Sequence, residues 1–155
     1  MRTALAELLD LMNLEPLGDN RFQGQCQDLG YRRLFSGLMM AQAMSAMMLH
    51  MRERGFADWL PHSMHSYFLS SGNTDGTVLL ELSETRMGRT YANLQVCVSQ
   101  DGEKLACVSA SFSQPEDGFY HQVSSPQVAG PDGIASQDQL SPQWRDSFPE
   151  RQRHA

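Results

Sequence analysis

Ser36-Gly37-Leu38 opens a stretch, Leu34 to Met51, that holds no charged residue and no proline. If this stretch is a helix, the N–H groups of its first turn have no partner within the helix. A glycine there lets another group approach those donors, and the dipole favours negative charge on that group. A core helix with no further role fits the same residues. His62 and His65 are the second candidate pair, because an imidazole titrates near neutrality and can take or give a proton. Their spacing lacks companion ligands, so no metal is expected. No G-x-S-x-G occurs, so Ser36 is not read as a nucleophile elbow. Cys26, Cys97 and Cys107 are odd in number and show no C-x-x-C. That speaks against a disulfide framework or structural zinc and for a reducing, cytoplasmic compartment.

The elements that must position these groups follow from periodicity. The central stretch is apolar all round a helical wheel except at Ser36, Gln42, Ser45 and His50, so it is expected to be buried on most sides. It holds six of the ten Met residues, adaptable filler for an irregular surround. It is expected to end near Arg52 to Gly55. Before it, Thr3 to Asn13 reads as an amphipathic helix with Leu5, Leu8, Leu9 and Met12 on one face. Pro16 and Gly18 stop that helix, Gly18-Asp19-Asn20 is turn chemistry, and Arg21 to Gln25 is a short strand. After Pro61 the period changes to two. Strands are expected over 62–71, 77–87, 90–99 and 104–113, with a hairpin turn at Gln100-Asp101-Gly102-Glu103. One apolar helix and one long antiparallel sheet imply an α+β domain whose sheet wraps the helix.

Composition narrows the partners. One domain of ordinary size is expected from 155 residues. A net charge of −6 without a cluster of Lys or Arg argues against nucleic acid. Arg32-Arg33 and Arg52-Glu53-Arg54 are small basic spots that read as solvated helix ends or as phosphate contacts. Gln42 and His50 lower the hydropathy of the central stretch, so no membrane span is expected. The first residues carry Glu7 and Asp10 and no small-residue cleavage site, so they do not read as a signal peptide. The text turns Pro-, Gly-, Ser- and Gln-rich late in the chain. A domain over 1–123 is expected, then an extended tail over 124–155 with a turn of helix near Gln139 to Trp144.

Four segments carry a family resemblance: LLDLMNLEPL at 8–17, QDLGYRRLFSGLMMAQAM at 27–44, PHSMHSYFLSSG at 61–72 and SASFSQPEDGFYHQ at 109–122. Together they resemble the N-terminal hotdog repeat of the type II acyl-CoA thioesterases, over almost the whole chain up to Pro131-Asp132-Gly133. The resemblance implies a single hotdog fold. It implies hydrolysis or binding of an acyl thioester carried on coenzyme A or a carrier protein, in lipid metabolism, without a cofactor. That family carries two repeats, with its catalytic Asp, Thr and Gln in the second. By internal symmetry those positions correspond here to Gln42, a place at or near His62, and Gln114; only the last is retained. The family's Gly-Gly-Gln helix start is replaced by Ser36-Gly37-Leu38. On this resemblance the Gly37 and Leu38 amides hold the oxyanion. Gln42 can position a water but not deprotonate it, and His62, with Asp58 as a partner, is the candidate base. A second copy of the chain is expected to replace the missing repeat, giving a homodimer with the ligand slot between subunits; whether dimers pair further into a tetramer is left open. A catalytically silent acyl-thioester binder is the alternative. A hydratase or dehydratase using Asp58 with His62 is a weaker one.

Overall fold

Alternation builds the centre of the sheet. β5 (Tyr91–Gln100) and β6 (Glu103–Ser113) pair antiparallel. Ala92, Leu94, Val96 and Val98 on one strand and Ala106, Val108, Ala110 and Phe112 on the other are buried, as a period of two requires. Asp101 and Gly102 connect them, both with positive φ (51° and 84°). That is the sign pattern of a hairpin turn matched to strand twist. The computed structural model describes residues 3–30 and 33–134. Its other elements are α1 (Ala4–Met12), β1 (Glu15–Gly18), β2 (Arg21–Gln25), α2 (Ser36–Glu53), β3 (Leu60–Phe68) and β4 (Thr77–Met87). The six strands form one antiparallel sheet in the order β1-β2-β4-β5-β6-β3, and α2 packs on it across β4, β5 and β6.

Three expectations need correction. β1 was not expected; Pro16 and Gly18 read as a stop, but β1 is an edge strand, where a proline costs no ladder bond. Asp19 and Asn20, both at positive φ, turn it into β2. β3 starts earlier and ends earlier than the expected 62–71. Pro61 sits at a bulge on the opposite edge, and by Leu69 and Ser70 both amides converge on the Leu105 carbonyl and the ladder stops. The central helix is fully buried only on the side that faces the sheet and half-buried over most of the rest. Its buried residues, Leu38, Met39, Gln42, Ala43, Ala46, Met47, His50 and Met51, form one stripe at helical spacing against the sheet. Met44 and Leu49 beyond that stripe are half-buried, and Met48 is 45% exposed.

α1 is capped by Thr3, whose hydroxyl accepts from the Ala6 amide. It packs through Leu11 and Met12, while Leu5, Leu8 and Leu9 are all at least 50% exposed. A β-bulge between Glu84 and Arg86 shifts the parity of β4. Glu84 lies on the helix side, whereas Arg86, level with Asn93, lies on the outer face. A second unit begins at Glu116; its described residues, 116–134, form no helix or strand and are exposed. The turn of helix expected near 139–144 lies outside the described residues, as does Arg32. Among the described residues no helix is long and apolar enough to cross a membrane.

Candidate active site

The start of α2 is capped by Phe35 without a side-chain hydrogen bond. The Leu38 amide is already donated to the Phe35 carbonyl at 3.0 Å, so it is not the free donor that was expected. The Gly37 amide remains. A Cβ at Gly37 would lie 2.5 Å from the Phe35 ring, so only glycine lets that ring close over the first turn. A groove of about 270 Å³ opens here between α1 and α2. Leu8, Met12, Leu29, Phe35, Leu38 and Ala41 line it, with Gly37 and with Gln27 as its one polar side chain among the described residues. An apolar trench ending at a helix N-terminus suits a chain whose reacting oxygen gains negative charge. Ser36, half-buried in the same turn, does not line it.

Gln42 is 1% exposed and faces β2. Its Nε2 donates to the Leu11 carbonyl at 3.0 Å and to the Gln25 carbonyl at 2.9 Å. Two acceptors around one nitrogen settle which end of the amide points where. A Cβ at Gly24 would lie 2.7 Å from Oε1, so β2 approaches this closely only because residue 24 is glycine. The carboxamide therefore ties the end of α1 and the end of β2 to α2, and its Oε1 is buried without a partner among the described residues.

His62 and Gln114 stand elsewhere. His62 Nε2 lies 2.9 Å from the Ser111 hydroxyl, and its ring meets Tyr91 edge-on at 5.6 Å. Gln114 is exposed one residue beyond Ser113, which pairs with Leu60 and Tyr91, so both residues sit at one end of the sheet. Gln42 is fixed at the other end, where β2 meets the start of β4. Through Leu79, Ser99 and Lys104 mark the level of Gln23, two residues short of Gln25, so they give a lower bound, and Ser111 marks the His62 level. Seven residues of strand separate the two, about 23 Å at 3.3 Å per residue. One chain places His62 and Gln114 at the same end of the sheet and Gln42 at the other. Asp58, exposed in the turn before β3, is joined to His62 by no hydrogen bond or ion pair among the described residues.

Two polar groups escaped the sequence reading. Glu7 and Asp10, three apart on α1, line a second cavity of about 250 Å³ with Gln25 and Gln27. Gln27 lines both cavities, so these carboxylates neighbour the groove. Spacing on α1 puts them on one face, but nothing in the sequence says that this face adjoins α2. The other group is His50, 4% exposed, with Nε2 2.8 Å from Glu84 Oε1. Arg54 Nε lies 3.1 Å from the same oxygen. The bulge that turns Glu84 inward leaves no mark in the sequence. Of the thiols, Cys26 is pushed above the ordinary range by burial first and by the Asp75 charge second, against a lowering hydrogen bond from Gln100. Cys97 and Cys107 stand opposite each other across β5 and β6, unbonded.

Residues 26–114 match the family model of the acyl-CoA thioesterase N-terminal domain. The chain belongs to that family. It is 35% identical over 150 residues to acyl-CoA thioesterase 2 of Haemophilus influenzae, covering 97% of this chain and 51% of that protein. The tesB protein of Mycobacterium avium subspecies paratuberculosis superposes with a TM-score of 0.70 at 30% identity, over 83% of this chain and 49% of that one. A protein of Alicyclobacillus acidocaldarius described as having a hotdog fold superposes at 0.67 with 24% identity, over 81% and 46%. The fold is the hotdog, an α+β architecture. The chain spans about half the length of each of these proteins.

Proposed function

We propose that this chain is a hotdog domain of an acyl-CoA thioesterase, and that the groove at the start of α2, not the His62 end of the sheet, receives the thioester. The groove carries this reading: it is apolar along its length and is lined at its helix end by Gly37, in the first turn of α2. The acyl chain lies along Leu8, Met12, Leu29 and Leu38, and the carbonyl oxygen accepts from Gly37. A water attacks the carbonyl carbon while an α1 carboxylate, Glu7 or Asp10, takes its proton. The tetrahedral oxyanion is held by the amide. Its collapse breaks the C–S bond, and the leaving thiolate regains the proton. Gln42 acts here by holding α1 and β2 in place.

A second hotdog completes the slot, and two copies of this chain supply it. The edge of β3, unpaired among the described residues, supports this, with Leu60, Tyr67 and Phe68 all more than 45% exposed, as does Met48 on the outward side of α2. A cytoplasmic location goes with the three free thiols. The test is purified protein with a panel of acyl-CoAs of graded chain length and detection of free thiol. Release above blank is expected for at least one chain length, and none at any length removes the hydrolase reading. The silent binder is the second reading, because among the described residues no carboxylate or imidazole lines the groove itself. Saturable binding of an acyl-CoA with no thiol release would establish it.

A further inference from the structure

Arg86, Gly88, Arg89, Tyr91, Asn93 and Ser111 enclose a cavity of about 330 Å³ on the outer face of the sheet, over the turn that joins β4 to β5. The bulge between Glu84 and Arg86 creates it. Without the extra residue, Arg86 would share the face of Leu82 and Glu84 and point at the helix. With it, Arg86, Asn93, Ser111 and Ser63 form a level row across β4, β5, β6 and β3. The turn then brings Arg89 round to the same opening. It is closed by the Gly88 amide donating to the Tyr91 carbonyl at 2.9 Å, an approach that a Cβ at Gly88 would block at 2.8 Å. Neither guanidinium is paired with a carboxylate among the described residues. His62 borders the opening through Ser111 and Tyr91.

We propose that this cavity is a binding site for a phosphate-bearing ligand, held by Arg86 and Arg89 with Asn93, Ser111 and Tyr91 as neutral partners. Guanidinium groups present planar forks that match phosphate oxygens in pairs. The carboxamide and hydroxyls add donors without adding repulsion. The cavity has roughly ten times the ~30 Å³ share of one water molecule, so it accepts a group of pyrophosphate size. On a chain of net charge −6, two unpaired guanidiniums facing one concave opening are a local inversion of the field. The ligand is either a free phosphate compound or the phosphate-bearing part of coenzyme A, and the chemistry of the site is the same for both.

Titration calorimetry of the full chain with inorganic pyrophosphate at low ionic strength tests this. Pyrophosphate has no thioester, so the result is read independently of hydrolysis. Saturable binding is expected. It should weaken about 10-fold in R86Q and again in R89Q, the loss typical of one charge-assisted pair. R86K, which keeps the charge and loses the fork, should fall between R86Q and wild type. Both arginines are exposed, so the variants should melt as wild type does. Coenzyme A that displaces pyrophosphate identifies the ligand as the thioester's own phosphates, and simultaneous binding of the two identifies a separate phosphate compound. No saturable heat, or equal affinity in wild type and the R86Q/R89Q double variant, overturns the site.

Discussion

Replacing Gln42 by glutamate keeps the shape of the side chain and exchanges its NH2 for an oxygen. That NH2 now donates to Leu11 and Gln25 at 3.0 and 2.9 Å in a site with 1% exposure. Losing both bonds costs about 1 kcal/mol each. The larger cost is charge. An ionised carboxylate in that place would face two carbonyl oxygens without water, so the folded state favours its neutral form. Buried carboxyl groups rise by up to ~3–5 pK units; at about 1.4 kcal/mol per unit, the part realised at neutral pH, about 2.7 units above the unfolded glutamate pKa, is roughly 4 kcal/mol. Against a typical stability of about 5–15 kcal/mol, such a variant is close to unfolding. The sign follows from a folded-state pKa raised above the unfolded one. The penalty is least below the unfolded glutamate pKa, near 4.3, and grows as pH rises until the folded pKa is passed. At acid pH the neutral acid keeps one donor, and a deficit of about 1 kcal/mol remains. Urea unfolding of wild type and Gln42→Glu at about pH 4.5 and 7.5 measures both limits. An equal deficit at the two pH values, or none at either, would refute the two-carbonyl clamp and return the amide to the list of groups free to act on a water.

Four further outcomes are expected. Glu7→Gln with Asp10→Asn should cut thioester turnover at least 100-fold, the lower range for a general base, with acyl-CoA binding retained; undiminished turnover excludes the α1 carboxylates. Met48→Lys should halve the mass seen in sedimentation, because Met48 faces outward on α2; an unchanged mass removes α2 from the subunit contact. Glu84→Ala should lower stability by about 1–3 kcal/mol by leaving His50 Nε2 buried without its acceptor, whereas Arg54→Ala should cost under about 1 kcal/mol because Arg54 is half-exposed; urea midpoints give the order. The Cys26 pKa is raised by burial, so its proton is held more tightly in the folded state. Iodoacetamide should modify it more slowly than an unfolded thiol, and its contribution to stability should fall as pH rises above the ordinary thiol pKa; a Cys26→Ser variant with the same alkaline unfolding profile contradicts this.

What the residues disclosed on their own was whatever repeats locally. The inward faces of β5 and β6 could be read from alternation, and the extent of α2 from its lack of charge and proline. What stayed hidden depended on partners far along the chain. The acceptors of Gln42 lie 17 and 31 residues away, and the partner of His62 lies 49 away. The bulge at Glu84 and Arg86 is one extra residue with no compositional mark, yet it turns a carboxylate toward His50 and a guanidinium outward. Family position placed Gln42, His62 and Gln114 in one catalytic trio, and correspondence along a sequence carries no length scale. The register supplies one: with about 23 Å of strand between its ends, a single sheet cannot bring Gln42 and His62 to the same carbonyl. Either hydrolysis uses the α1 carboxylates beside the groove, or a second hotdog carries its own His62 end to the first one's helix start. Two variants, assayed alone and mixed, separate these, Gly37→Pro in one and His62→Ala in the other. The shared-site arrangement requires activity to return in the mixture, because each mixed dimer then holds one intact pair. The α1 arrangement requires His62→Ala to be active alone.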